Sequence, residues 1–283
     1  MLSESEAALI AKNAYVPEHL PQYFIPFSGM EPCLINNCIL YTRGNTVSFI
    51  GYPLLEQTEA ETLNTLKQVI RDYNPSIFKA VLPFVPYLAD YNVTGGERDE
   101  YSRINLNGTA ISAKTRNMIG RGKQHFEVFI GQEFTMEHRQ ILHQFVKNKN
   151  LNEDTANFFY RLPEFLSHSP TATLFEARSK ETGCLAAYNV MEFSPGDYCF
   201  FLFNIKGNQH WPGVSDLLMD QMITMAKSRK KKYLNTGLSV NGGIRWFKAK
   251  WGAEVFLPYY FISAEPKLPW QILWEKWRKL FKK

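Results

Sequence analysis

The 283-residue sequence predicts a mixed α/β (α+β) fold, a mixed β-sheet flanked by helices and arranged as two related halves, the second complete and the first partial. Three observations lead there. From His125 onward the hydrophobic periods run strand, two helices, three strands, then helix, strand, helix and strand. The three consecutive strands are joined by the turn signals Glu181-Thr182-Gly183 and Ser194-Pro195-Gly196-Asp197, which favour an antiparallel meander, whereas a strand–helix–strand unit joins parallel neighbours. A composition of 45% hydrophobic and 21% charged residues is that of an ordinary globular protein and excludes a disordered chain or a coiled coil.

The elements follow in chain order. Residues 1–30 read as a polar lead-in of helix and loop, broken by Pro17, Pro21 and Pro26. CLINNCILYTRG and NTVSFIGYPLL are β-branched and aromatic, and Arg43-Gly44-Asn45 is a turn between them. Thr58 with Glu61 forms a capping box ahead of Leu63, Leu66, Val69 and Ile70 at helical spacing, and Asn74-Pro75 stops that helix. SIFKAVLPFV reads as a buried strand, PYLADY as a short helical piece and DEYSRINL as another strand. A basic helix, AISAKTRNMIGRGK, ends near Gly120–Gly122, followed by the strand HFEVFIG. A helix capped by Thr135 and a second over 152–166 precede the meander. The loop GNQHWPG then leads into a long helix, the strand KYLNTGLSV, the helix GGIRWFKAKWG and the strand EVFLPYYFI. The expected division is 1–110 as a partial first half, 111–124 as a basic linking helix, 125–264 as the complete second half and 265–283 as a basic amphipathic helix.

Charge and cysteine usage narrow the function classes. The net charge is +5, and from Lys267 on there are six basic residues against one acid, so the rest of the chain is nearly neutral. A broad basic face for long nucleic acids is therefore not expected. The four cysteines show no CxxC spacing and read as buried thiols. His138 and His143 are five apart, the wrong spacing for two ligands on one helix face, and no metal site is expected. Gly120-Arg121-Gly122-Lys123 lacks the spacing of a phosphate loop. The opening segment has acids where a secretory signal has basic residues, and no apolar run reaches membrane-spanning length, so a cytoplasmic location is expected.

The order of elements resembles the GNAT (acyl-CoA N-acyltransferase) fold, in two tandem GNAT-like halves. More specifically, NTGLSVNGGIRWFKAKWGA (235–253) is similar to the block that closes the second half of duplicated GNAT proteins. Those include Fem-type aminoacyl transferases and the C-terminal domain of phosphatidylglycerol lysyltransferases. The segment 112–123, with Lys114-Thr115-Arg116-Asn117, resembles the helix joining their halves. The resemblance implies a sheet that splays between the strand at Tyr198–Ile205 and the strand ending at Val240. The donor's arm would lie in that gap, with its phosphates at the helix opening near Gly213. A helix N-terminus offers unpaired N–H groups to an anion, and a glycine permits close approach. Asn204, Gln209, His210, Trp211, Gly213, Val214 and Ser215 are the implied donor-binding residues; Trp211-Pro212 departs from the usual glycine-rich loop. Pro212 also has a plain reading as the helix start signal.

Acyl transfer to an amine needs a proton acceptor and donors for a tetrahedral oxyanion. Asn235, Thr236 and Ser239 would line the gap. Tyr188 and Glu192 share a strand face, with Asn189 on the other, and Glu192 is a candidate base, directly or through water. The plain alternative is that Tyr188 packs under a helix and Glu192 reaches solvent. By resemblance, Lys248 points at the donor or at the developing negative charge, while Phe247 is core and Lys250 a solvated charge. Arg116, Asn117, Ser239, Asn241 and Arg245 are candidates for acceptor binding, against a reading of Arg116 and Asn117 as a solvated helix face. In the tail, Trp270, Leu273, Trp274, Trp277, Leu280 and Phe281 form an apolar stripe opposite Lys and Arg. It either docks on the body or lies on the inner surface of an anionic membrane.

The expected activity is N-acyl transfer from acyl-CoA or a related donor to an amine, with no tightly bound cofactor. The alternatives are an aminoacyl-tRNA-dependent aminoacyltransferase acting on a lipid headgroup or cell-wall precursor, with tRNA as a partner, and a non-catalytic GNAT-fold binding module.

Overall fold

The computed structural model describes residues 2–108, 111–209 and 211–268. The lead-in holds α1 (Glu4–Asn13), a 3-10 turn at Pro17–His19 and α2 (Pro21–Ser28). Then come β1 (Glu31–Ile35), β2 (Cys38–Arg43), β3 (Thr46–Ile50), α3 (Glu59–Tyr73), β4 (Ile77–Leu82) and β5 (Tyr91–Asn105). The chain continues through α4 (Ala113–His125), β6 (Phe126–Gly131), α5 (Met136–Asn148), α6 (Glu153–Tyr160), α7 (Leu162–His168), β7 (Thr173–Ser179), β8 (Leu185–Glu192) and β9 (Tyr198–Lys206). It closes with α8 (Val214–Ser228), β10 (Tyr233–Leu238), α9 (Gly242–Lys250) and β11 (Glu254–Pro266).

The chain divides into two compact units that are discontinuous in sequence. Among the described residues, one holds 2–6, Met30–Asp99 and 257–268; the other holds Ala7–Gly29 and Glu100–Phe256. β5 and β11 each supply residues to both units.

In the first unit, β1, β2 and β3 form an antiparallel meander. β4 lies parallel to β3 across the α3 crossover, and β11 pairs antiparallel with β4. The capping box at Thr58 and Glu61 is present, and Asn74 ends α3 in the left-handed conformation. Leu66 and Val69 of α3 pack against Phe49, Phe78, Leu82 and Ile262. Two expectations are corrected here. Residues 33–44 form two strands, because Asn36 and Asn37 both adopt positive φ (46° and 65°), the left-handed pair of a tight hairpin. PYLADY is an extended loop ending in a turn, since six residues offer too few hydrogen bonds to offset the cost of nucleating a helix.

The second unit has the sheet order β5-β10-β9-β8-β7-β6. β6 to β9 are antiparallel, β9 and β10 parallel, and β10 and β5 antiparallel. One face carries α4 and α8, with Met191, Phe126, Leu217, Met222 and Trp251 in its core. The other carries α5 to α7, with Tyr188, Val190, Phe165 and Phe203. The alternation read from β8 therefore holds: Tyr188 and Val190 face one layer and Met191 the other. The helix expected over 152–166 is two helices, because Pro163 cannot donate a backbone hydrogen bond and restarts the turn at Leu162. The α4 helix runs past Gly122 to His125. Cys38 and Cys199 are buried, and burial pushes both thiols up to about 12. Cys184 is exposed, which corrects the reading of all four as buried. No described helix is long and apolar enough to cross a membrane.

Candidate active site

The parallel strands β9 and β10 are registered at Tyr198–Tyr233, Cys199–Leu234 and Phe200–Asn235, and the ladder ends there. β9 continues to Lys206 and β10 to Leu238. Local chemistry explains the parting. Gly237 takes φ 73°, a conformation only glycine adopts freely, and it interrupts the extended backbone just past the last laddered pair. The Asn235 side chain accepts the Gly237 N–H at 2.8 Å, taking a donor that a continuing ladder would use. On its other edge β10 shows a register shift against β5 between Asn235 and Leu238.

The carbonyls of the parted segment meet a cation. Lys248, only 4% exposed on α9, donates from Nζ to Gly237 O at 2.7 Å and to Leu238 O at 2.6 Å. An ammonium thus stands at the C-terminal end of β10, where a developing oxyanion would gain most from it. Asn235 is fully buried, and its other amide end donates to Tyr15 O at 2.8 Å. Its two bonds to backbone make it the residue that shapes the parting. Thr236 donates to Ser102 O at 2.9 Å, and Ser239 is buried just beyond the strand. Asn204 is half-buried on β9, registered opposite Asn189 of β8.

The two base candidates lie elsewhere. The Glu192 carboxylate is fully buried and accepts from Ser169 Oγ, Thr171 Oγ1 and, at 2.7 Å, the Ser194 N–H. It does not reach solvent; it ties the end of α7 to the β8–β9 turn. Tyr188 is a core residue whose hydroxyl donates to His138 O at 3.3 Å, and burial raises its pKa.

The loop before α8 is built for packing. Gly213, at φ 82°, abuts α4: a Cβ there would lie 2.3 Å from Met118 O and 2.8 Å from Gly122 N. Trp211 sits edge-on to Phe126, ring centroids 5.2 Å apart, and Val214 is buried. Gln209 is exposed and Ser215 half-buried. The first turn of α8 already holds a carboxylate, Asp216, which accepts from Lys250 Nζ at 2.6 Å and Trp251 Nε1 at 3.2 Å. Lys250 is therefore a largely buried ion-pair partner, which corrects the reading of it as solvated. Lys206, at the end of β9, has a pKa lowered by burial and by the Lys149 charge, with Asp216 opposing.

Arg116 and Asn117 are exposed on α4, Arg116 donating to Ile111 O at 2.6 Å. Asn241 caps α9 through the Ile244 N–H, and Arg245 pairs with Glu100 at 3.2 Å. His210 and the tail tryptophans Trp270, Trp274 and Trp277 lie outside the described residues. Two neighbours of β10 escaped the sequence reading. Arg103 on β5 lies between the rings of Tyr233 and Phe256 and donates to the Tyr198 hydroxyl. The 3-10 turn with Glu18 follows Tyr15, whose carbonyl accepts from Asn235. Alternation on DEYSRINL puts Tyr101 and Arg103 on one strand face, but no periodicity joins them to residues 15–19.

No family profile matches the chain, and no curated protein does. Solved structures do. The C-terminal domain of a protein assigned as a lysylphosphatidylglycerol synthetase from Agrobacterium fabrum matches at TM-score 0.63 and 13% identity, over 91% of this chain and 89% of that one. L-PGS from Bacillus licheniformis matches at TM-score 0.58 and 16% identity, over 95% and 93%. FemX matches at TM-score 0.63 and 9% identity, over 92% and 96%. The fold is GNAT-like.

Proposed function

We propose that the protein is an acyltransferase that moves an acyl group from an activated ester to an amine, with the donor arm lodged where β9 and β10 part. The observation that carries this reading is the ladder ending at Phe200–Asn235 with the Lys248 ammonium seated on the carbonyls beyond it. The acceptor nitrogen attacks the ester carbonyl, a C–N bond forms, and the carbonyl oxygen takes up charge beside Lys248. Collapse breaks the ester C–O bond, and the departing alkoxide takes the proton that the nitrogen gives up. Only an interaction stronger with the oxyanion than with the neutral carbonyl speeds the step, and a fixed cation meets that condition.

An aminoacyl ester of tRNA suits this site better than a coenzyme A thioester. Gly213 is spent on contact with α4, Trp211-Pro212 replaces the glycine-rich turn, and Asp216 already places a negative charge in the first turn of α8. The name lysylphosphatidylglycerol synthetase describes an aminoacylated lipid headgroup; for the amide-forming step the acceptor class we favour is an amine, carried by a lipid headgroup or a cell-wall precursor.

Transfer of radiolabelled amino acid from charged tRNA to amine and lipid acceptors tests the reading. Unfolding is followed in parallel with coenzyme A and with acyl-CoAs. We expect transfer from tRNA that falls steeply with salt, at about −0.7 in log K per neutralised single-strand phosphate. We expect no stabilisation by coenzyme A. Stabilisation approaching about 2.7 kcal/mol, the gain at a hundredfold excess over Kd, would restore the thioester as donor. Absence of transfer from every donor would leave a binding module.

A further inference from the structure

Arg103 of β5 is a half-buried cation that pairs with no carboxylate among the described residues. Ile104, Cys199 and Leu234 belong to the core beneath α4 and α8, so their chain neighbours Arg103, Tyr198 and Tyr233 point to the opposite face of the sheet. There the guanidinium lies 4.4 Å from the Tyr233 ring centroid and 4.9 Å from that of Phe256, and its Nη1 donates to the Tyr198 hydroxyl. The Tyr198 ring closes the hollow, its centroid 5.0 Å from Tyr233 and 6.2 Å from Phe256. All three rings are half-buried, so solvent still reaches them.

The hollow sits where the parting begins. Arg103 stands directly opposite Asn235, the last residue of β10 laddered to β9. Two residues along β5, a step of about 7 Å, Tyr101 stands opposite Leu238, whose carbonyl holds the Lys248 ammonium. Phe247 and Trp251 pack in the core with α4 and α8, so Lys248 reaches β10 from one side of the sheet and Arg103 flanks it on the other.

The donor set decides what fits. A guanidinium stays charged at every working pH and presents five N–H groups in a fixed fork. Rings over its faces leave its edge to a ligand. The Tyr198 hydroxyl, having accepted from Arg103, keeps its own proton to give, and the Tyr233 hydroxyl has no partner among the described residues. Donors without acceptors select an oxyanion. A carboxylate satisfies the fork in one plane; a phosphate, with its oxygens at tetrahedral positions, meets the fork and the phenols together.

We propose that the Arg103 hollow is the anion subsite of the acyl acceptor and takes the phosphate of an aminoalkyl phosphate. A phosphate joined to its amine by a short carbon bridge, as in phosphoethanolamine, spans the step from Arg103 to the carbonyls beside Lys248. Anchoring the anion thus delivers the nitrogen to the parted end of β10. The inference rests on the acyl-transfer reading for the role of that nitrogen and adds to it the acceptor's chemical class.

The test uses the full chain and titration calorimetry with phosphoethanolamine, ethanolamine and inorganic phosphate. Phosphoethanolamine is expected to bind, inorganic phosphate to compete with it, and ethanolamine not to bind. Arg103→Lys keeps a charge but loses the fork, and should weaken binding about ten- to a hundredfold, the scale of hydrogen bonds to a charged group. Tyr233→Phe keeps the ring, loses one donor and should weaken it less. No binding of phosphoethanolamine to the parent chain, or equal binding of ethanolamine, overturns the proposal whether or not transfer is seen. Where Arg103→Lys lowers the Tm, Tyr233→Phe decides, and unchanged affinity there overturns the subsite. In transfer assays Arg103→Lys should raise KM for the acceptor and nearly keep kcat, as loss of ground-state anchoring does; a fall in kcat alone overturns the anchoring role. Binding with no transfer from any donor leaves an anion site and sinks the transferase, and transfer with no binding does the reverse. Sedimentation with vesicles containing phosphatidylethanolamine separates the sources. Pelleting that falls in Arg103→Lys makes the phosphate a lipid's, and equal pelleting makes it a soluble ester's.

Discussion

Gly213 and Gly122 meet backbone against backbone where α8 begins. A Cβ built on Gly122 would stand 2.8 Å from Gly213 O and 2.8 Å from Leu217 Cβ, and one on Gly213 would strike Met118 O and Gly122 N. Two glycines in separate helical contexts let α4 and α8 touch at main-chain distance, and the start of α8 is fixed by that contact.

Alanine at either position should therefore unfold the protein more easily. Gly213→Ala adds left-handed strain of about 1–2 kcal/mol to a collision with backbone atoms that cannot swing away. Gly122→Ala, free of that φ penalty, isolates the collision and should cost about 1–3 kcal/mol. Chemical denaturation of both variants checks this. A neutral Gly122→Ala would mean that the two helices do not touch here.

Lys250 and Asp216 form an ion pair at 2.6 Å with side chains only 14% and 7% exposed. Lys250→Met leaves the Asp216 carboxylate buried with the Trp251 N–H as its remaining donor. Breaking one side of such a pair costs about 3–5 kcal/mol. Adding Asp216→Asn removes the stranded charge and should recover part of the loss. A Lys250→Met variant as stable as the parent would contradict the contact.

Acid should loosen the α5–β7 corner. Burial pushes Glu176 up, but the His138 ring nitrogen 3.4 Å away and the hydrogen-bonded Arg178 guanidinium outweigh it and hold its pKa below the ordinary range; burial likewise pushes Glu137 up, and Leu185 N–H and Arg178 outweigh it there. The unfolded chain therefore takes up protons first as pH falls. The stabilisation is complete above the ordinary carboxylate range near 4.3 and is lost as pH drops through that value and the lowered folded one. Arg178 contacts Glu137 at 2.7 Å and Glu176 at 2.8 Å. Arg178→Met should cost about 1.5–3 kcal/mol at neutral pH, the scale of hydrogen bonds to charged groups. It should also flatten the acid limb of Tm against pH, and an unaltered limb would locate the acid sensitivity elsewhere.

Lys248→Met should separate catalysis from stability. Loss of an oxyanion-side donor lowers transfer by about 10²–10³-fold, while two carbonyls left without the ammonium cost about 1–3 kcal/mol each. Transfer measured well below the variant's Tm reads the first effect, and urea unfolding reads the second. Full activity with lowered stability would make Lys248 a structural clamp alone.

What the sequence disclosed depended on how local the cause was. Capping at Thr58, the β7–β9 meander, the helix before Gly252 and the GNAT-like order come from periodicity and turn chemistry within short windows, and the structure keeps them. The Asn36-Asn37 hairpin was legible in principle, since consecutive asparagines tolerate positive φ, but uninterrupted β-branched residues around them masked the turn. Glu192 shows the limit on the site. Its strand face followed from alternation, yet its commitment to Ser169 and Thr171 depends on a loop twenty residues earlier. Likewise nothing in KYLNTGLSV says that Asn235 will bind Gly237 on one side and Tyr15, some 220 positions earlier, on the other.

That double engagement gives a separable prediction. Asn235→Asp keeps the oxygen that receives the Gly237 N–H, so the bend in β10 should survive, but it removes the N–H that holds Tyr15. Asn235→Ala removes both, and each buried group left unpaired costs about 1–3 kcal/mol. Hydrogen exchange distinguishes them. In Asn235→Asp, amides of residues 15–20 should exchange faster while those of 233–238 stay protected; in Asn235→Ala both segments should lose protection. If residues 15–20 kept their protection in Asn235→Asp, the lead-in would be held to the sheet by contacts other than the Asn235 amide.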